Sequence, residues 1–215
     1  MQKKYFSFNR CASLIFAAAL VLTAPITYGQ SFVEGEHYVT LQGDADILPD
    51  GRVEVIEFFW FGCPTCFRFD PILRAWDRPA TISSKAVPVI LNRASEFHAR
   101  AYYAMELLNL QNQLMQNFYD ELHVKRNRVV NAEDFEAWAS TQPGVDAAKL
   151  AKTAHSFAAM TKVKQADLLA EKYRISGVPT IVVGGKYRTS PAMAESFVHA
   201  LEIAEFLVDK VLAGQ

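Results

Sequence analysis

The stretch from Val53 to Phe69, VEVIEFFWFGCPTCFRF, constrains this chain more than any other part of it. It reads as an apolar β-strand over Val53–Trp60 that passes through Gly62 into Cys63-Pro64-Thr65-Cys66 and continues directly as a helix. A nearly unbroken apolar strand belongs in a sheet covered on both faces, which predicts an α/β architecture. With Cys63 as helix cap, Pro64 occupies the first helical position, where its missing N–H costs nothing. Two thiols separated by two residues at a helix start form and break a disulfide with little movement. The positive end of the helix also stabilises a thiolate, so Cys63 is the candidate nucleophile near neutral pH. The strand–CxxC–helix context is much more specific than CxxC alone, and it points to thiol–disulfide chemistry.

The first residues have the pattern of an export leader. Lys3, Lys4 and Arg10 precede an uncharged, mostly apolar run over Cys11–Ala24, and Thr27-Tyr28-Gly29 offers small residues for cleavage. Residues 1–29 are therefore expected to be a signal peptide, removed after Gly29, and the mature chain to be periplasmic. The alternative is a retained anchor, for which the run is short, since a spanning helix needs about 20 residues. Cleavage would lower the 22 basic residues by three, to 19, against 23 acidic ones, a formal charge of −4. No basic stripe suggests a nucleic-acid partner. Cleavage would also remove Cys11 and leave only Cys63 and Cys66. A disulfide enclosing two residues restrains the unfolded chain little, so this pair reads as a reagent rather than a strut.

Further along, His37–Leu41 reads as a short first strand, Ala86–Leu91 as the third, and Thr180–Val183 with Lys186–Thr189 as a hairpin around Gly184-Gly185. Pro71 lies inside the helix that follows the cysteines and should kink it. From about residue 95 to 170 the pattern becomes helical, with Gly144 the single glycine. Three or four short helices and a longer one ending near Tyr173 are expected, with Asn131, Asp134 and Pro143-Gly144 as caps and turns. Pro191 is expected to open the last helix. The expected domain therefore spans 30–215, with a helical insertion at about 95–170. No coiled coil or swapped strand is visible, which predicts a monomer.

Strand-FFWFGCPTC-helix, a helical insertion, and Ser176-Gly177-Val178-Pro179-Thr180 before a Gly-Gly hairpin together resemble the DsbA-type periplasmic disulfide oxidoreductases. The resemblance covers essentially the whole expected mature chain. It implies a thioredoxin-like α/β fold, a central mixed sheet flanked by helices with an inserted all-helical module. It implies that Cys63 is the exposed nucleophile and Cys66 its more buried partner, and that the pair introduces disulfide bonds into exported proteins through a mixed disulfide. Reduced exported proteins would bind as extended substrates against Pro64, Thr65 and the Val178–Pro179 backbone, with that bond cis. A DsbB-like inner-membrane quinone reductase would reoxidise the pair, with no organic cofactor or metal. Thr65 departs from the histidine many relatives carry and brings no charge, so a somewhat less extreme oxidant is expected.

Several residues keep two readings. Glu57, a carboxylate within an apolar strand six residues before Cys63, is either a buried proton relay for Cys66 or a solvated strand-end residue. Asp70 either modulates the same thiols or sits on a solvated helix face. Trp60, Phe61, Phe67 and Trp76 either line a substrate groove or belong to the core. The cysteine pair read as half a zinc site lacks a second pair, because His37, His98, His123, His155 and His199 are scattered. Within thiol chemistry the rival is a disulfide reductase or isomerase, although a reductase more often carries Gly-Pro between its cysteines. A non-catalytic chaperone with a static disulfide is the rival outside it.

Overall fold

A computed structural model describes residues 1–3 and 32–215. The expected leader run, its cleavage point after Gly29 and Cys11 fall on residues 4–31, outside the described residues. In chain order the elements are β1 (Val39–Thr40), β2 (Val53–Phe59), α1 (Pro64–Ala75), β3 (Ile82–Pro88) and α2 (Arg93–Leu107). They continue with α3 (Gln111–His123), α4 (Ala132–Ser140), α5 (Ala147–Ala154) and α6 (Phe157–Lys172). β4 (Thr180–Val183), β5 (Tyr187–Thr189) and α7 (Phe197–Leu212) complete the chain.

The strands form one mixed sheet in the order β1-β5-β4-β2-β3. β2 runs parallel to β3 and antiparallel to β4, so the most apolar strand lies between two neighbours. Its backbone groups pair on both sides, and its side chains enter two separate cores. Val53 and Val55 pack with Ile181, Val183 and the apolar stripe of α7, including Ile203, Leu207 and Val211. Ile56, Phe58 and Phe59 pack with the inserted helices. Gly184 and Gly185, at φ +53° and +64°, make the turn of the β4–β5 hairpin, a left-handed conformation that a side chain strongly disfavours.

The inserted helices are well punctuated. Asn92, Asn131, Asp146 and Ser156 each accept a backbone N–H at the start of α2, α4, α5 and α6, and the Asn92–Ser95 pair forms a complete capping box. Phe61, just beyond β2, stands edge-on to Phe118 and Tyr119 of α3, with ring centroids 4.8 Å from each. Burying rings of this size contributes about 1.5–3 kcal/mol apiece, so the insertion shares its core with the sheet rather than standing apart.

Several expected boundaries moved. β1 keeps only Val39–Thr40 of the expected His37–Leu41. β3 runs over Ile82–Pro88, not Ala86–Leu91, and it begins early because it is an edge strand whose Ser83, Ser84 and Lys85 need not be apolar. The last helix begins after Ser196, whose side chain accepts the His199 N–H, and not at Pro191. Residues 190–195 form turns instead, and Glu195 at φ +60° separates them from the helix. α1 runs through Pro71, which remains inside it.

Candidate active site

The carboxyl end of β2 delivers Cys63 to the first turn of α1. Cys63 is the helix cap in extended conformation, and its Sγ accepts the N–H of Cys66 at 3.4 Å, with Pro64 next in the helix. Both cysteines are free thiols in this structure. Cys63 is buried, at 9% exposure, rather than exposed as the resemblance implied, because the Val178 backbone lies against its sulfur, and Cys66 is fully enclosed. Thr65 is half-buried on the same turn, where its hydroxyl accepts from Arg68 at 3.4 Å. Across the cleft the Val178–Pro179 bond is cis, and the Cys63 thiol donates to the Val178 carbonyl at 3.5 Å. Elements 115 positions apart in sequence thus meet at one sulfur.

The two thiols are polarised in opposite directions. The Cys63 pKa falls to about 6, chiefly because the Cys66 thiol hydrogen-bonds to its anion, with help from the Cys66 and Thr65 N–H groups and the charge of His123, against the cost of burial. The Cys66 pKa is raised far above the ordinary thiol value, first by giving its hydrogen bond to Cys63 and then by burial. Cys63 is therefore the sulfur that carries negative charge at neutral pH.

Glu57 is buried, at 6% exposure, on the β2 face that α1 covers, which removes the solvated reading. Its Oε1 has no hydrogen-bond partner among the described residues. Burial, and next the neighbouring Asp70 carboxylate, push its pKa up to about 8, while Arg74 pulls the other way. Asp70 is buried too, not solvated, and pairs with Arg74 at 2.7 Å one turn along α1. Burial raises its pKa despite that partner. Glu57, Asp70, Arg74, Tyr102 and Gln111 line a cavity of about 560 Å³. A polar cavity of this size has room for ordered water.

The aromatic residues divide. Phe61 is core, whereas Trp60, Phe67 and Trp76 are half-buried. Two histidines that spacing gave no reason to single out touch the redox loop. The Trp60 indole donates to His98 Nδ1 at 3.0 Å, and His98 Nε2 bonds the Val129 carbonyl at 2.9 Å. His123 Nε2 lies 2.7 Å from the Phe61 carbonyl. Neither contact has a sequence signal, since each joins residues 38 and 62 positions apart.

A thioredoxin-like sheet, a helix-capping CxxC facing a cis-proline, and helices inserted between β3 and β4 define a thioredoxin-fold dithiol oxidoreductase with a helical module. Residues 73–202 match the family described as DSBA-like thioredoxin domain. That match begins beyond Cys66, so it stands independently of the CxxC motif. The chain is 36% identical over 202 residues to the thiol:disulfide interchange protein DsbA of Burkholderia cepacia, covering 93% of each. It is 29% identical to the Pseudomonas syringae pv. tomato protein of the same name, covering 94% of this chain and 97% of that one. Among solved structures, Pseudomonas aeruginosa DsbA matches with TM-score 0.79 at 28% identity, over 85% of this chain and 95% of that one. Xylella fastidiosa DsbA matches with TM-score 0.76 at 27% identity, over 84% and 98%. The chain belongs to the DsbA-like thioredoxin family of thiol:disulfide oxidoreductases.

Proposed function

We propose that Cys63 and Cys66 are the redox pair through which this protein donates disulfides to exported proteins. The observation that carries this reading is geometric: Cys63 caps α1, its sulfur accepts the Cys66 N–H and faces the cis Val178–Pro179 bond, and Cys66 lies fully enclosed one turn on. In the oxidised protein a substrate thiolate attacks Cys63 Sγ, the Cys63–Cys66 bond breaks, and Cys66 leaves. A buried Cys66 anion is unfavourable, so the step needs a proton at that sulfur. Glu57, mostly protonated at neutral pH with its pKa near 8, is the donor we assign, through water in the adjoining cavity. Asp70 and Arg74 set the field in which Glu57 titrates. A second substrate thiolate then attacks its own sulfur in the mixed disulfide and expels the Cys63 thiolate. The substrate loses two electrons and the protein gains them.

Pro64, Thr65, Val178 and Pro179 form the surface against which an extended substrate pairs. The absence of an N–H at Pro179 keeps a competing donor from the sulfurs. Residues 1–29 act as a cleaved signal peptide, residues 30–215 form the mature domain, and the protein works as a monomer in the periplasm. A DsbB-like inner-membrane quinone reductase takes up the electrons. The relatives' shared name and the paired motifs support this placement.

The test is the reduction potential of the Cys63–Cys66 couple in a glutathione buffer series. DsbA and thioredoxin provide the reference values, roughly −120 and −270 mV, with nucleophile pKa values of about 3.5 and 7. With Cys63 near 6, a value between the two and on the oxidising side is expected. A value at or below that of thioredoxin would make the protein a reductase and end the donor reading. A Cys66→Ala variant, first converted by oxidised glutathione to the Cys63–glutathione disulfide, should also pass to mixed disulfides with substrate thiols through Cys63 as glutathione leaves, which a static binding module would not do.

A further inference from the structure

His123 ends α3, in the middle of the inserted helices, yet it touches both flanks of the CxxC. Its Nε2 lies 2.7 Å from the carbonyl oxygen of Phe61, two residues before Cys63. Its ring stacks on Phe67, the residue after Cys66, at 4.8 Å and 9° between planes. The bond to a carbonyl requires the hydrogen on Nε2, because an acceptor faces it. Nδ1 is then the position at which a second proton adds, so the ring can become cationic without giving up Phe61. The side chain is half-buried, where a charge near a sulfur is screened less than on an open surface.

The titratable groups around the ring are Cys63 on α1, His98 on α2 and Tyr119 on its own helix. Burial pushes His98 down to about 4, and the Trp60 indole already donates to its Nδ1, so it carries no charge at neutral pH. Burial pushes Tyr119 well above its ordinary value, so it is neutral as well. Cys63 is left as the charged neighbour of His123.

We propose that His123 is a positioning residue of the redox pair, which clamps the backbone ahead of Cys63 and the turn behind Cys66 and, as an imidazolium, supplies the positive charge that Thr65 lacks. The inference rests on Cys63 being the nucleophile. It makes the inserted module part of the redox machinery and not only a wall around it. The lowering of the Cys63 pKa by the His123 charge agrees with this role.

The experiment uses the full mature domain with two substitutions. His123→Gln keeps a donor for Phe61 without charge, and His123→Phe keeps the stack without a donor. Thiolate absorbance against pH and the equilibrium constant with glutathione are measured for each. His123→Gln is expected to move the Cys63 titration to higher pH and to make the protein about three- to tenfold less oxidising at neutral pH, the scale of one partly screened charge. His123→Phe should show that shift and unfold at lower temperature. If folded His123→Gln titrates with the wild type and matches its equilibrium constant, the charge role is wrong. If His123→Phe does not fold, His123→Gln decides alone. If the wild type fails to equilibrate with glutathione, the disulfide-donor reading falls instead, and the thiolate titration still decides the part played by His123.

Discussion

The surroundings of Cys63 and of Cys66 differ although the two residues share one helical turn. Around Cys63 lie two backbone N–H groups, the Cys66 thiol and the His123 ring, with the Val178 carbonyl as the acceptor facing them. Around Cys66 lie an enclosed core and the Glu57 carboxyl, whose pKa burial raises. The difference assigns a direction to the chemistry. The first region stabilises an anion and so favours the reduced protein. The second encloses its sulfur and disfavours an anion there. A disulfide between two equivalent sulfurs would have neither a preferred point of attack nor a preferred leaving group.

Removing one sulfur is the strongest way to break this comparison. Cys63→Ser should abolish exchange, by at least about 10³-fold in rate, because no thiolate remains to carry the mixed disulfide. Cys66→Ala should instead leave a reactive Cys63 that traps substrates, measured as high-mass species on non-reducing gels. Equal behaviour of the two variants would erase the asymmetry. Next in size is Glu57→Gln, expected to slow the first exchange step about 10- to 100-fold while moving the equilibrium potential little. Wild-type rates at fixed substrate thiolate should fall as pH rises through about 8, where Glu57 loses its proton, and the variant should lack that limb.

Stability against pH sharpens the same contrast, with opposite signs in the two regions. Glu57 has its folded pKa raised, so its ionisation costs nothing below pH 4.5, costs progressively more up to about 8, and stays costly above. Glu57→Gln should therefore gain on the wild type by a few kcal/mol in alkaline denaturant titrations. Cys63 has its folded pKa lowered from 9.0 to about 6, so the reduced protein is stabilised fully above pH 9 and loses that stabilisation as pH falls through 6. At pH 7 this amounts to about 1.4 kcal/mol, or ~30 mV for a two-electron couple. Unfolding the reduced and oxidised proteins side by side from pH 5 to 9 checks it, and a constant difference between them would contradict it.

Much of this site was legible before any coordinates, and the reason is local. Cys63, Pro64 and Cys66 lie within one turn, and their strand–loop–helix setting follows from apolar run length and proline position. The cis-proline and the buried place of Glu57 came through resemblance, because nothing in an X-Pro pair or a lone carboxylate reports its surroundings. His98 and His123 were invisible, because their partners lie 38 and 62 positions away and a histidine in a helix has no periodic signature. β3 was read late because an edge strand has a mixed pattern, and α7 early because Pro191 imitates a helix start that Ser196 makes.

The smallest effect separates scaffold from chemistry. Trp60 covers Gly62 so closely that a Cβ there would lie 2.4 Å from the indole, and its N–H satisfies His98. Trp60→Phe keeps a ring over Gly62 but leaves His98 Nδ1 buried without a donor, which should cost about 1–3 kcal/mol near neutral pH. His98 has its folded pKa lowered to about 4, so the wild type already loses stability as pH falls from 6.5 towards 4, where the unfolded chain binds the proton first. In the variant an unpaired Nδ1 accepts that proton more readily, so the loss from neutral to acid pH should be shallower. Thermal unfolding at pH 7 and pH 5 measures both. Because His98 is neutral and acts on Trp60 rather than on sulfur, the Cys63 thiolate titration should stay within about 0.3 units of the wild type. A larger displacement would mean that the Trp60–His98 pair reaches the sulfur, and the anion-holding region would then extend beyond the groups that touch or face Cys63.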